Sequence, residues 1–433
     1  APAQYSQVYD TSVPALESLV ISSATGAQNN WLNAGDEVNV TANFSEVVTV
    51  TGAPQLSLNI GGVPKIATYV SGSGTNELVF RYTVVTGDTD VNGISIDANS
   101  LSLNGGTIGD NAGNSAVLSH DVVSDNSTYR VDTTAPVVTI TSVGGVDSVV
   151  SAQTADNQVL GTAENAGTAP VTFRFDTTLL GITTVDSNGA VLFNLTSTRL
   201  NTIGQGTDKS ITMSQTDEAG NTGTSAPFVF AVDSVAPVVS GVAITSATGI
   251  ANNTLNAGDE LSVTVTFSEA VTVTGIPRLT LNVGGTNRMA AYASGSGTAA
   301  LVFRYTVVTG DTDLNGISIA ANSLSLNGGT IRDGAGNNGT LSHPEVAANA
   351  SFLVDTTAPG APQITSPALT NDVTPVIIGT AEAGATVTLT IGGATYTTTA
   401  TGGTWSVDTG SATPTSGTLS LNINGSNAVT AIA

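Results

Sequence analysis

The sequence predicts an all-β chain of antiparallel sandwiches joined in tandem, and three observations predict it. Apolar residues alternate with hydroxyl residues, as in LSVTVTF from Leu261 to Phe267 and VTLTI from Val387 to Ile391, which is the period of a strand with one buried face. Gly-Gly, Asn-Gly and Gly-Asp pairs interrupt these runs about every eight to twelve residues, as turns between short strands do. No segment sustains a helical period. Composition agrees: charged residues make up 10% of the 433, against roughly 25% in an ordinary soluble protein. Thr, Ser, Asn and Gly supply the polarity instead, and β-branched Thr and Val suit a pleated sheet.

Internal repetition divides the chain. NAGDEVNVTANFSEVVTVTG from Asn33 returns as NAGDELSVTVTFSEAVTVTG from Asn256, an offset of 223. The same offset carries YVSGSG at Tyr69 to YASGSG at Tyr292, FRYTVVTGDTD at Phe80 to Phe303, and SLSLNGGTI at Ser100 to Ser323. A second kind of segment follows each copy, and the two share VLGTAE at Val159 and IIGTAE at Ile377. Linkers VDTTAP (Val131–Pro136), VDSVAP (Val232–Pro237) and VDTTAP (Val354–Pro359) separate the units. Each ends in a proline that fixes φ and extends the residue before it, so the linkers should be short and stiff.

In chain order the expected elements are residues 1–13, a strand and linker; 14–134, a sandwich of type A; and 135–235, one of type B. Residues 236–357 form a second A and 358–433 a second B. That last B is short. Aligning SITMSQ at Ser210 with AVTAIA at Ala428 ends it before the equivalent of Thr216–Asn221, so it lacks its last hairpin loop and closing strand. Residues 1–13 show the converse. At the 223 offset Tyr5, Gln7, Tyr9, Asp10 and Pro14 fall on Phe228, Phe230, Val232, Asp233 and Pro237, the closing strand and linker of a B unit.

The linkers, the F-S-E segment, the Y-x-S-G-S-G turn and the D-x-A-G-N loop together resemble the tandem immunoglobulin-like repeats of large bacterial adhesins and biofilm proteins. The resemblance runs from Pro14 onwards. It implies secretion, extended stalks, calcium-stiffened junctions and a role at the cell surface or in the matrix. The start, APAQ, fits a mature end left by removal of a leader.

Charge narrows the partners. The net charge is −23, from ten basic and 33 acidic residues, whereas nucleic acid and anionic membranes need a basic patch. Divalent cations suit it better. Cysteine is absent, which removes disulfides and thiol chemistry. No run of about 18 apolar residues exists to span a membrane.

Two loop types carry oxygens suited to Ca²⁺. The first is Asp88-x-Asp90-x-Asn92-Gly93, repeated at Asp311, Asp313 and Asn315. It matches the opening of an EF-hand-like loop, but Asn99 or Asn322 stands where the bidentate glutamate would be. The second is D-x-A-G-N at Asp110, Asp217 and Asp333, expected to meet the downstream linker aspartates Asp132, Asp233 and Asp355. Glu46 and Glu269 are further candidate ligands. Both loop types are also ordinary Asp/Asn/Gly turn chemistry. His120 and His343 are one repeat position seen twice; a Ser-His-Asp triad needs an independently placed Ser and Asp, and no motif supplies them. The chain is therefore expected not to be an enzyme. Lys65 becomes Arg288 in the second copy, which argues against a Lys–Asn isopeptide bond. Trp31 and Trp405 are candidate sugar platforms, although Trp31 is Thr254 in the second copy. Asn126-Ser-Thr and similar sequons leave glycans open.

The mismatched ends lead to one functional expectation: a filament subunit whose N-terminal strand completes the last domain of its neighbour, with Tyr5, Gln7 and Tyr9 on one face or Val8 on the other. Such a head-to-tail contact does not close and makes a fibre. The alternatives are a stalk segment of a large calcium-binding adhesin, in which the missing strand follows in the same chain, and an array of carbohydrate-binding modules for surface or matrix polysaccharide.

Overall fold

The computed structural model describes residues 7–433 and divides the chain into two units, Ala1–Ala236 with Gly334–Asn338, and Pro237–Asp333 with Gly339–Ala433. Strands dominate both, in antiparallel sandwiches with immunoglobulin-like closure.

In the first unit, the larger sheet of the first sandwich runs Leu16–Thr25, Glu37–Thr51, Thr75–Thr83, Val63–Ser71, Gln55–Ile60 and Leu101–Ser102. Its central strand alternates strictly at first, with Val38, Val40, Ala42 and Phe44 inside. Past Asn43 the register breaks, and Thr49–Thr51 pair instead with Thr107–Gly109. The F-S-E segment sits at this break, which is why Glu46 faces outward rather than into the core. The YVSGSG turn closes through Tyr69, whose hydroxyl accepts the Ser73 N–H at 2.8 Å. Gly72 has φ +111°, and a Cβ there would lie 1.9 Å from the Glu77 carbonyl, so only glycine fits.

The second sandwich packs Val137–Val143, Gln158–Glu164 and Ala190–Asn194 against a sheet ordered Val149–Val150, Phe228–Val232, Gly206–Thr216, Val171–Phe175 and Thr178–Thr183. The closing strand Phe228–Val232 is antiparallel to Gly206–Thr216 and parallel to Val149–Val150. One helix, Ser197–Ile203, departs from the all-strand expectation. Thr196 caps it, Gly204 (φ 76°) ends it, and it buries only Leu200 and Ile203. Two apolar residues three apart are too few to register as a helical period.

In the second unit, the third sandwich repeats the topology of the first. The fourth has two three-stranded sheets, Gln363–Ile364 with Val376–Thr380 and Thr404–Asp408, and Ala394–Thr399 with Thr386–Ile391 and Val429–Ile432. Its core centres on Val387, Leu389, Ile391, Tyr396 and Trp405.

Candidate metal centre and strand-acceptor edge

The Asp88 loop is a clasp, not a cradle for an ion. Asp88 is buried; one oxygen pairs with the Lys65 ammonium at 2.6 Å, and the other accepts from Tyr82 Oη at 2.5 Å and Val85 N–H at 3.0 Å. Burial pushes this carboxyl up, but Lys65, Tyr82 and Val85 outweigh it and hold it below the usual range. Burial and then Asp88 push Tyr82 well above its ordinary value. Asp90 turns the other way, accepting from Asn92 and Gly93 N–H at 3.1 and 2.9 Å and from Gly61 N–H at 2.8 Å. The second copy repeats this. Asp311 pairs with Arg288 at 2.5 Å and accepts from Tyr305, while Asp313 accepts from Asn315, Gly316 and Gly284 N–H. Asp88, Asp90 and Asn92, and likewise Asp311, Asp313 and Asn315, therefore do not converge on one centre. A cation of the protein's own already neutralises the buried carboxylate, and the Lys65-to-Arg288 exchange keeps it.

The D-x-A-G-N loops do reach linker residues, but one junction earlier than expected. Asp110 accepts from Asn114 N–H at 2.8 Å and Asn114 Nδ2 at 2.7 Å, and Asp217 holds Asn221 in the same way. Each asparagine amide then reaches the carbonyl of the linker that leads into its own sandwich: Asn114 to Asp10 at 3.2 Å, Asn221 to Asp132 at 2.9 Å, and Asn337 to Asp233 at 3.0 Å. The downstream pairings expected from chain order do not form at Asp110 or Asp217, because the strand after the loop carries the next linker to the opposite pole. Each of these linker carboxylates also accepts from its own backbone. Asp132 accepts from Thr134 N–H, Asp233 from Val235 N–H and Asp355 from Thr357 N–H, at 2.8, 3.1 and 2.9 Å. Asp333 is buried.

One group of carboxylates gathers within the first unit. Oxygens of Asp10, Glu46 and Asp110 lie within 4.8 Å of one another. Burial and then the charges of Asp10 and Asp110 raise Glu46 above the usual carboxylate range, whereas the Asn114 side chain above all holds Asp110 below it. Three converging oxygen donors that repel one another fit a hard divalent cation such as Ca²⁺. Asp110 and Glu46 were candidate ligands on sequence. Asp10 was missed, although the 223 offset aligns it with a linker aspartate, Asp233.

The edge expected on sequence to accept a strand lies in the fourth sandwich. Leu389 pairs with Ala431 there as Phe173 pairs with Met213 in the second. In the second sandwich the far side of the Met213 strand is covered by Phe228–Val232, with Ile211 opposite Phe228 and Lys209 opposite Phe230. Among the described residues no strand covers that side of Val429–Ile432. Tyr5 lies outside the described residues. Gln7, Val8 and Tyr9 are exposed and belong to no strand, Val8 at 88% and Tyr9 at 82%.

Both histidines are tied to backbone. His120 Nε2 accepts the Ser100 N–H at 2.9 Å, so Nδ1 carries the proton and donates to the Asp121 carbonyl at 2.8 Å. His343 does the same with Ser323 and Pro344. Trp405 is buried against Gly379 and donates from Nε1 to the Thr380 carbonyl at 3.3 Å, so it packs the core. Trp31 is half-buried beneath the Arg130 guanidinium, 4.4 Å from the ring centroid. No helix among the described residues is long and apolar enough to cross a membrane.

No protein-family model and no curated protein matches the chain. Among solved structures, one of a 1.5-MDa bacterial ice-binding adhesin is similar at 17% identity, over 76% of this chain and 95% of that one, with a TM-score of 0.33. The fibronectin(III)-like modules of Clostridium thermocellum CbhA match at 15% identity over 49% and 93%, TM-score 0.22. The ICAM-5 D1–D4 ectodomain fragment matches at 12% over 93% and 95%, TM-score 0.26.

Proposed function

We propose that the chain is a structural subunit of a secreted bacterial filament at the cell surface, assembled head to tail by insertion of its N-terminal strand into the fourth sandwich of the next copy. The observation that carries this reading is the open side of Val429–Ile432, set beside an exposed segment that aligns with the strand closing the equivalent side in the second sandwich. The template favours one register. Phe230 and Val232 are each 2% exposed while Val229, one residue before Phe230, is 58% exposed and Ala231 between them is half-buried, so Gln7 and Tyr9 would point inward and Val8 outward. The purified chain should form fibres by electron microscopy. Deletion of residues 1–13, or Tyr9→Asp, which buries an unpaired charge, should abolish them, and the 1–13 peptide added in trans should cap growth. Fibres formed equally by the deletion variant would sink the reading. A chain that stays monomeric until a closing strand is appended after residue 433 would favour the adhesin stalk instead.

The same reading assigns Ca²⁺ to Asp10, Glu46 and Asp110, where it would tie the N-terminal segment to the first sandwich. Calcium should raise the melting temperature, as any ligand of the folded state does, and Glu46→Gln should remove most of that rise. An equal rise in the variant would place the ion elsewhere.

A further inference from the structure

Two of the three D-x-A-G-N loops are seated on their outer side. Asn33 donates to the Ala219 carbonyl at 2.8 Å and Asn29 to that of Glu218 at 3.2 Å, so the Asp217 loop rests on the pole from which the chain leaves the first sandwich. Residues Gly334–Asn338 also belong to the first unit. There the Asn338 N–H reaches Gln153 Oε1 at 3.2 Å, and Ser151 Oγ donates to Asn337 Oδ1. A Cβ on Gly220 would lie 2.6 Å from Gln28 Nε2, and one on Gly336 2.6 Å from Thr154 Cγ2. Around Gly113, in the Asp110 loop, nothing among the described residues lies within 4 Å. The outer side of that loop is open.

The corresponding seat in the fourth sandwich is open too, and both open surfaces are more apolar than their counterparts. Asn157 and Pro375 are equivalent, since their carbonyls accept from Leu195 and Thr409 N–H just past equivalent strands. Counting back from them, Ser151, Gln153 and Ala155 correspond to Leu369, Asn371 and Val373. Ser151 and Gln153 seat Gly334–Asn338, whereas Leu369 is 91% exposed and Val373 60%. The pole that bears the Asp110 loop changes in the same sense. Val13 adjoins Pro14, whose carbonyl accepts the Val117 N–H at 2.8 Å, and Val47 follows Glu46, whose carboxylate meets that of Asp110. These three valines are half-exposed, and at the 223 offset they are Ala236, Ala270 and Thr340.

We infer that these two poles bind each other between copies of the chain. The Asp110 loop of one copy, ringed by Val13, Val47 and Val117, seats on the 366–374 loop of another, with Leu369 and Val373 in between. The inference deepens the head-to-tail reading and rests on it for the order of the copies, but it does not need strand insertion. A second copy is the fitting occupant because both halves of the seat are in this sequence. Asn371 stands where Gln153 accepts, and its side chain makes no hydrogen bond among the described residues; Ser115 stands where Asn338 donates. Exposed apolar side chains gathered at one place mark an interaction surface, and here two such places have complementary loops. Charge opposes the contact, because Asp372 would approach Asp10, Glu46 and Asp110. Apolar burial must therefore drive it, and salt should strengthen it by screening. The contact is heterologous, so it propagates in one direction.

Disulfide trapping tests this, since the chain has no cysteine of its own and the bond needs Cβ atoms about 4 Å apart. Full chains carrying Ser115→Cys and Asn371→Cys are mixed and oxidised, both as fibres and as the concentrated soluble chain. Their heterodimer should exceed at least tenfold that of Ser115→Cys with Ser187→Cys, a turn of the second sandwich, and its yield should rise with NaCl. Leu369→Ser/Val373→Ala, which installs the residues of the second sandwich, should cut the yield fivefold or more. Val47→Ala/Val117→Thr on the other chain should do the same, and covers the case in which the first pair unsettles the fourth sandwich. No excess over the control in either sample, or an excess unchanged by both double variants, overturns the inference. Fibres that form equally without residues 1–13, together with the excess, would strike strand insertion and leave this contact standing.

Discussion

The second and fourth sandwiches share their registers but not their cores. Phe173 opposite Met213 in one is Leu389 opposite Ala431 in the other, and Val159 opposite Phe193 is Ile377 opposite Val407. The second buries 19 apolar residues in its cluster and the fourth nine. Part of the difference is the closing strand, which contributes Phe230 and Val232 to the second. Each such side chain is worth about 1.5–3 kcal/mol when fully buried, so in the second sandwich that strand contributes several kcal/mol, a large part of a small domain's net stability. The fourth fills its core differently. It sets Trp405 opposite Gly379 where the second has Val191 opposite Gly161, and it has Val407 where the second has Phe193 stacked on Phe173 at 4.3 Å. The fourth core is thus organised around one large rigid side chain.

The sharpest way to break this comparison is at a pair of glycines. Gly161 and Gly379 occupy equivalent positions opposite Val191 and Trp405. A Cβ on Gly161 would come within 3.0 Å of Met213 Cε, a flexible tip that can swing away, and 2.6 Å of the Thr139 carbonyl. On Gly379 it would fall 2.5 Å from the rigid indole of Trp405 and 2.1 Å from the Gln363 carbonyl. Overpacking of this kind costs about 1–3 kcal/mol, and Gly379→Ala belongs at or above the upper end because neither neighbour can yield. Thermal unfolding followed by Trp405 fluorescence should show a larger loss for Gly379→Ala than for Gly161→Ala. Equal losses would mean that the indole is not what holds the fourth core.

Much of this architecture is legible in the sequence because it rests on local alternation. The strand Glu37–Thr51 declares its buried face at every second residue, and the asparagine loops declare their turns. What escapes is set by topology. Lys65 meets Asp88 only because the strand Val63–Ser71 and the loop that follows Thr75–Thr83 come together across 23 positions, so the Asp88 loop reads as an ion site until its cation is seen. Which linker a D-x-A-G-N loop touches depends on the pole to which the closing strand returns the chain. Sequence order suggests the next linker, and the fold selects the previous one. Asp10 was hidden for that reason, even though its alignment with Asp233 was plain. Trp31 and Arg130 were each visible, but nothing short of strand pairing makes them neighbours.

The smallest expected effect concerns the clamp at the entrance to the second sandwich. Asn221 joins its own loop to the preceding linker: its amide is held by Asp217 at 3.0 Å and donates to the Asp132 carbonyl at 2.9 Å. The site is half-buried, so loss of the amide leaves a carbonyl that water can reach in part, and the net cost should be about 1 kcal/mol. Asn221→Ala should therefore lower the melting temperature only slightly. Its larger signature should be hydrogen exchange: amides of the Asp217 loop and of Asp132–Pro136 should exchange faster while those of Val171–Phe175 stay protected, since local opening involves the least buried parts first. Asn221→Asp makes the argument stricter. It keeps the shape but replaces a donor by a carboxylate beside Asp217, so it should be worse than alanine. If Asp and Ala were equivalent, the amide would be a passive filler and the clamp would rest on its shape alone.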